Sequence, residues 1–504
     1  MQLSAFQHWV ALTPSHSREL SHITNSPHSN RLRLFALTAC AAACLVAVLA
    51  SPAAASKSQW AMFEDHVLLV RSGPAVREQT LNEIRALGAD TLRIEVKWSE
   101  VAPSPSAKTK PAFDATDPAA YPGFQPYDDL VAQANARGLR IMITLAPDAP
   151  AWATAGGRGG NYKVDSNDFA EFARAVGRRY SGVFGGLPAV KYFSIWNEPN
   201  HIFFLKPRSQ SPRVYRRLVE RGVPALRATA AAGSRIFVGE LAPVGTATKV
   251  LGPKRFIQGW LCLDKRFKRL RGRAARKAGC NGFKRVSANG FAHHPYGPTG
   301  SVPARRDIIN ISVIRRLAAV LDKAARAGRI TRGLGIYNTE FGFQTNPPDP
   351  FISTSTGRQA ELLNEKEEYS YRYSRVKSYS QYLLHDDPAR PGPSALKWAG
   401  FQTGLKTAAG SVKPSYDAYR LPIVVKKRGK GVLIWGRVRP GSGTRFAQLQ
   451  RKQGGSFVND GSPISTNSGG YFTAKRSARA SYRFIGFAVQ GGAQLGTSRT
   501  AKAR

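Results

Sequence analysis

Two glutamates carry the clearest chemical signal in this 504-residue chain. Ile195-Trp196-Asn197-Glu198-Pro199-Asn200 and Ile336-Tyr337-Asn338-Thr339-Glu340-Phe341-Gly342 each close a short, largely apolar run with a carboxylate. A strand buried along its length that delivers an acid at its C-terminal edge is how a (β/α)8 barrel presents reactive groups. Two carboxyls facing one another across such a mouth are the minimum equipment for cleaving a glycosidic bond. One would attack or assist at the anomeric carbon while the other moves a proton.

The elements that must position them alternate. Between about residues 60 and 419, short β-branched runs alternate with amphipathic helical patterns, the mark of α/β architecture. The predicted strands are 66–70, 91–96, 140–145, 190–196, 235–240, 290–293, 334–340 and 396–401. Helices are predicted at 77–87, 127–137, 166–180, 212–230, 307–327 and 358–384. Eight strands in alternation favour a closed barrel over an open doubly wound sheet, and no G-x-G-x-x-G follows the first strand. The connections at 97–126, 146–165, 199–211 and 241–259 are long, which predicts a deep cleft on the active-site face. After Tyr419 the pattern changes to short alternating runs parted by Gly- and Pro-rich turns, a small β-sandwich with a frayed basic tail from about Thr497.

The predicted division is therefore 1–55 as leader and extension, 56–420 as barrel, and 421–504 as a basic β module. Arg31 and Arg33 precede an apolar stretch from Leu34 to Ala50 and then Ala53-Ala54-Ala55, the pattern of a cleaved signal peptide. That implies a secreted, extracellular protein with no stable membrane span once the leader is gone. Of four cysteines, Cys40 and Cys44 leave with it, and Cys262 and Cys280 remain as an expected disulfide in an oxidising compartment. Two cysteines without clustered histidines do not make a metal site.

The net charge is +42. The cations are spread widely, with denser stretches at 265–285 and after Leu421, where 16 Lys and Arg face only Asp460. Such charge would attract an anionic cell-wall polymer or acidic polysaccharide, or simply belong to a generally basic secreted protein. Aromatic-basic platforms and groove-reading motifs are missing from the sequence, which argues against nucleic acid.

Trp196-Asn197-Glu198-Pro199 and Thr339-Glu340-Phe341-Gly342 resemble the acid/base and nucleophile motifs of glycoside hydrolase clan A, in a family 5-like or family 39-like form. The clan comprises retaining β-glycosidases on TIM barrels, and the resemblance spans roughly residues 60 to 420. Arg93 on the second strand resembles the clan's arginine near the nucleophile, and His294 and Tyr296 resemble its His-x-Tyr after strand six. Trp398, placed on strand eight, resembles the aromatic platform under the sugar.

The resemblance implies Glu340 as nucleophile, kept ionised by Arg93 and Tyr296, and Glu198 as acid/base. It also implies Asn197 at the substrate's 2-hydroxyl, His294 binding a sugar hydroxyl or orienting Glu198, a carbohydrate substrate and no cofactor. Arg93 could alternatively be a structural partner of Glu95, and His293 competes with His294. Glu240 and Asp148 are cleft candidates of lower rank, and Trp98, Trp152 and Trp260 could line subsites or pack. Trp435, Tyr471 and Phe472 could stack on sugars or fill the module's core. A low-activity glycan-binding barrel and a transglycosylase on the same site stay open as alternatives.

Overall fold

The computed structural model describes residues 59–503 apart from 298–300, 306 and 352. The expected leader at 1–55 lies outside the described residues.

Eight parallel strands close into a barrel in chain order: β1 Trp60–Glu64, β2 Thr91–Lys97, β3 Arg140–Ala146, β4 Tyr192–Ile195, β5 Arg235–Leu241, β6 Gly290–His293, β7 Ile336–Asn338 and β8 Val376–Tyr382. A helix follows each: α1 Pro74–Ala86, α2 Gln125–Ala136, α3 Ser166–Arg179, α4 Ser211–Thr229, α5 Pro253–Trp260, α6 Ile314–Arg326, α7 Thr356–Tyr371 and α8 Pro414–Arg420. Proline in the first turn of α1, where Gly73 turns the chain at φ 83°, starts the helix with φ already set. Asp165 and Ser355 cap α3 and α7 through their side chains.

Two strands lie elsewhere than expected. The apolar run at 66–70 is not β1. The chain enters the barrel one segment earlier, at Trp60–Glu64, and Val67–Arg71 coils into a helical turn that buries Leu69 and Val70. The eighth strand is Val376–Tyr382, inside the stretch read as helix to residue 384, and α7 stops at Tyr371. Strand β8 was hidden because its inward positions are polar. Ser378 and Ser380 face the barrel and donate to the carbonyls of Asn338 and Thr339 at 2.8 and 3.1 Å. Residues 396–401 are a short helix and loop.

Alternate residues point inward, and they sort by height. At the N-terminal end Trp60, Met62, Met142, Tyr192, Phe237 and Tyr337 plug the barrel, with Phe237 stacked on Tyr337 at 4.2 Å and Trp60 against Tyr192 at 4.9 Å. Above this plug the inward residues are Glu64, Arg93, Thr144, Ser194 and Glu240, all buried. The barrel is dry below and charged above.

After Leu421 come nine strands in two antiparallel sheets. One is formed by β9 Ile423–Arg428, β10 Gly431–Arg437 and β14 Tyr471–Arg476. The other is built on β11 Phe446–Gln453 and β15 Ser481–Phe487, with β12 Ser456–Asn459, β13 Ile464–Ser465, β16 Gln494–Thr497 and β17 Ala501–Lys502 along their edges. They enclose a core of Ile423, Ile434, Leu449, Phe472, Tyr482 and Phe484. The tail is not frayed within the described residues: β17, Ala501–Lys502, pairs with β15, and Ala501 is buried. Trp435 and Tyr471 pack against Tyr371 at the end of α7, and Phe472 against Phe484, so none of the three offers a free face to a sugar. Among the described residues no helix is long and apolar enough to cross a membrane.

The module docks at the closed end of the barrel. Arg437 donates to the Gln59 carbonyl just before β1 and lies 4.0 Å from Asp90 just before β2. Arg437 and Arg439 both pair with the buried carboxylate of Glu367 on α7, and Arg439 also lies over the Tyr419 ring. Removing that carboxylate would leave two guanidinium groups without their shared anion. Glu367→Ala is therefore expected to destabilise the protein by about 3–5 kcal/mol. The change should appear as a lower urea midpoint with the module's strands exchanging amide hydrogens early, whereas an unchanged midpoint would show that solvent reaches these arginines.

Candidate active site

The strand ends place the charged side chains, and they do so through unusual backbone. After β4 the chain takes positive φ at Trp196 (66°) and Glu198 (37°), reversing it so that the Glu198 side chain enters the mouth. The turn is held by Trp196 N–H to Leu145 O at 2.9 Å, Glu198 N–H to Glu240 O at 2.9 Å and the Trp196 indole N–H to Phe204 O at 2.7 Å.

On β5, Glu240 (φ 48°) sits in a bulge between Gly239 and Leu241 that turns its carboxylate inward. Gly239 is needed there: its φ is 114° and a Cβ would meet the Ala292 carbonyl oxygen at 2.5 Å. Tyr215 on α4 ties the two features together. Its hydroxyl accepts from Gly239 N–H at 2.7 Å and donates to Ile195 O at 3.3 Å.

Arg93 is the hub. Its Nη1 meets Glu64 at 2.6 Å and Glu340 at 3.4 Å. Its Nη2 meets Asn197 Oδ1 at 2.8 Å, Glu95 at 3.3 Å and Glu240 at 3.6 Å. The choice between Glu95 and the site does not arise, because Arg93 serves both. His294, directly after β6, bridges the rest. Nδ1 lies 3.0 Å from Glu198 Oε1 and 3.3 Å from Glu340 Oε2, and Nε2 lies 2.8 Å from Glu240. Tyr296 donates to Glu340 Oε1 at 2.8 Å, and Thr339 to Glu240 at 2.6 Å.

Glu198 and Glu340 are 4% and 7% exposed, and Glu198 Oε2 has no hydrogen-bond partner among the described residues. Because one nitrogen touches an oxygen of each, those two oxygens can be no more than about 6.3 Å apart.

The protonation states follow from this geometry. Burial works against the charge on Arg93, yet Glu240, Glu64, Glu95 and Glu340 outweigh it and hold its pKa well above the usual range. Burial would also strip the proton from His294, but Glu340, Glu198 and Glu240 raise it to about 10. At neutral pH it is an imidazolium donating from both nitrogens. Glu240 is the matching anion: burial pushes it up, while Arg93 and His294 bring it down to about 2. Burial lifts Glu64 well above the ordinary carboxylate range despite Arg93. Burial also lifts Glu340, with His294 and Arg93 opposing. The expectation of a simply ionised Glu340 is thus modified: its charge rests on two cations working against desolvation.

The structure brings Arg93, Asn197, Glu198, His294, Tyr296 and Glu340 into one cluster. Trp398 is not on strand eight. It ends the short helix Ser394–Lys397 in the loop after β8, half-buried, with Lys397 Nζ 5.4 Å over its ring. The aromatics beside Glu340 are instead Tyr296, Tyr382 and Phe401, with Tyr382 and Phe401 4.8 Å apart and Phe401 6.0 Å from Tyr296. Trp98, Trp152 and Trp260 pack: Trp98 stacks on Phe172 at 5.1 Å, Trp152 abuts Trp98, and Trp260 abuts Tyr215. His293 is a core residue whose Nε2 meets Ile309 O at 2.7 Å, and burial lowers its pKa to about 4. Asp148 is exposed and receives a hydrogen bond from Asn161 at 2.6 Å. Cys262 and Cys280 form a disulfide.

Glu64 escaped the sequence reading because β1 was placed one segment late. Glu240 was underrated, although the glycine before it marks a bulge that re-aims the next side chain.

No known family profile and no curated protein matches this chain. Among solved structures it is similar to a β-glucosidase from Thermotoga maritima in complex with glucoimidazole, at 15% identity over 74% of this chain and 92% of that one, TM-score 0.44. The exo-β-1,4-mannosidase Op5Man5 from Opitutaceae bacterium strain TAV5 gives 15% identity over 73% of this chain and 61% of that one, TM-score 0.44. An FMN-binding β-glucuronidase from Facaelibacterium prausnitzii L2-6 gives 13% identity over 91% of this chain, which spans 57% of that protein, TM-score 0.38.

Proposed function

We propose that this chain is a retaining β-glycoside hydrolase of the clan A type, secreted, and acting on a β-linked oligo- or polysaccharide. The observation that carries this reading is the pair Glu198 and Glu340 held on one imidazolium nitrogen. Retaining enzymes place their carboxyls about 5–5.5 Å apart, whereas inverting ones need roughly 6.5–9.5 Å to admit a water. Both carboxyls reach the same His294 nitrogen, at 3.0 and 3.3 Å, and a close approach of this kind supports the retaining arrangement.

In this reading Glu340 attacks the anomeric carbon as Glu198 gives its proton to the leaving oxygen, and the C–O bond to the leaving group breaks. A glycosyl ester on Glu340 remains. Water then attacks the same carbon, Glu198 takes its proton, and the ester C–O bond breaks to free both carboxyls. The Tyr296 hydroxyl, Arg93 and His294 fix the Glu340 oxygens and favour their charged form. The amide oxygen of Asn197 is held by Arg93, which turns its NH2 group toward the substrate's 2-hydroxyl. Secretion draws support from the Cys262–Cys280 disulfide, a bond of oxidising compartments.

The test is hydrolysis of aryl β-glycosides and of β-glucan, mannan, xylan and galactan by the purified chain, with anomeric configuration followed by NMR. Glu340→Ala should abolish turnover, and Glu198→Ala should lower kcat/KM by roughly 10²–10⁴, least for aryl leaving groups that need no proton. Activity surviving in Glu340→Ala, or an inverted product, would sink the proposal.

A second measurement probes the charge pairing itself. Glu240 titrates near 2 in the fold against 4.5 when unfolded, so its contribution to stability is present above pH 4.5 and lost as pH falls toward 2. His294, raised from 6.5 to about 10, contributes fully below pH 6.5 and loses its contribution as pH rises through 10. Glu240→Gln is expected to destabilise the protein by about 3–5 kcal/mol near pH 6, with the gap to wild type narrowing below pH 4.5. A gap independent of pH would show that Glu240 matters for shape and not for charge.

A further inference from the structure

The segment between α5 and β6 carries no catalytic group, yet it is built with care. The Cys262–Cys280 disulfide closes it, and Arg216 from α4 is threaded through its base. That guanidinium donates to the carbonyls of Gly259, Trp260, Ala278 and Gly279 at 2.7–3.2 Å. The brace holds up a strongly cationic surface. Residues 265–285 include ten Lys and Arg and no acid, and all ten are exposed.

Against α5 and α6 this surface forms a hollow of about 460 Å³ lined by Lys254, Lys265, Arg266, Phe267, Lys323 and Arg326. No carboxylate lines it, and none of its five cations forms an ion pair among the described residues. Nearby acids are committed elsewhere. Asp264 accepts the backbone N–H groups of Arg266 and Lys268 at 2.8 Å, and Asp322 pairs with Arg375 at 2.8 Å.

Five like charges gathered around one hollow repel each other within a Debye length of about 8 Å at physiological salt. A braced surface that keeps them together without counter-charge is suited to an anionic ligand. In the C-terminal module, by comparison, Arg451 and Arg476 share Asp460 and Lys426 pairs with Glu368.

We propose that this hollow and the loop beside it form a docking site for an acidic polysaccharide. The belt of cations running on from the hollow through residues 268–277 fits an extended polyanion. Nucleic acid fits less well. The aromatic in the hollow, Phe267, is buried with Lys254 and Lys323 at 6.0 and 5.7 Å from its ring, which leaves no face for a base to stack on. The site lies in the outer helical layer, away from the strand ends that carry Glu198 and Glu340, so it stands independently of the catalytic reading. Its role would be to hold the protein on an acidic matrix while the mouth stays open.

The test is binding of the purified chain to polygalacturonate and dextran sulfate, with uncharged dextran and double-stranded DNA as comparison arms, without reference to turnover. Changing Lys254, Lys265, Arg266, Lys323 and Arg326 together to Ser should weaken acidic-polysaccharide binding at least about tenfold at 0.15 M salt. Changing five exposed module cations, Lys427, Arg428, Lys430, Lys452 and Lys475, to Ser should have less than about a threefold effect. Bound polygalacturonate should also protect the wild-type Lys254, Lys265 and Lys323 amines from acetylation, a readout that needs no variant to fold. Equal weakening by both variants, unprotected lysines, absence of binding, or tighter binding of DNA would each overturn the proposal.

Discussion

The whole arrangement depends on burying the Arg93 guanidinium inside a barrel. Its side chain has no exposure, and moving such an ion from water into a low-dielectric interior carries an idealised penalty of order 20 kcal/mol. The structure offsets this with four carboxylates and one amide oxygen. That concentration of acids then creates its own problem, which His294 resolves by carrying a second positive charge. Arg93 and His294 set two positive charges within this acid cluster, with Glu240 firmly ionised and Glu64 held toward its neutral form by burial. A carboxylate poised between two fixed cations needs no reorganisation of solvent when charge moves.

This balance holds only if the side chains cannot drift, and the backbone shows how drift is prevented. Non-glycine residues in the left-handed region cost of order 1–3 kcal/mol each, and they persist where surrounding structure over-determines them. Trp196, Glu198 and Glu240 all sit there, and each is tied by hydrogen bonds from a neighbouring strand or from Tyr215. Below them, the plug of Trp60, Met62, Met142, Phe237 and Tyr337 closes the N-terminal end of the barrel. The strained residues at the charged level therefore stand on a rigid apolar floor.

Much of this was legible in the sequence because the strands that deliver Glu198 and Glu340 have a plain signature: an apolar run ending in an acid. Strands β2 to β7 and six of the eight helices could be located from the alternation of β-branched runs with amphipathic patterns. The two misplaced strands flank the barrel's closure and broke the signature in opposite senses. Ahead of β8 the helical pattern of α7 runs on into Val376–Tyr382, whose inward serines do the work usually done by aliphatic side chains. At β1 two apolar runs compete, and only the packing of Leu69 and Val70 against the outer helices decides which becomes the turn. Misplacing β8 also misplaced Trp398, whereas Tyr382 and Phe401, unremarkable in sequence, flank Tyr296. Glu64 could not be found without β1, and no spacing rule reveals that one arginine will gather acids from β1, β2, β5 and β7.

The chain's large positive charge is handled in three ways, and the difference is informative. Inside the barrel, positive charge is matched acid by acid. At the interface with the C-terminal module, Arg437 and Arg439 share one carboxylate, and aromatic faces take up the rest, with Tyr471 at 4.5 Å and Tyr419 at 4.6 Å. That docking lies at the plugged end of the barrel, opposite the mouth that holds Glu198 and Glu340, so the module does not line that mouth. On the disulfide-braced loop the cations are left unmatched and turned outward. A fold that supplies acids for Arg93, Arg437 and Arg439, yet braces a cation-rich loop covalently, separates charge that builds the protein from charge that faces its surroundings.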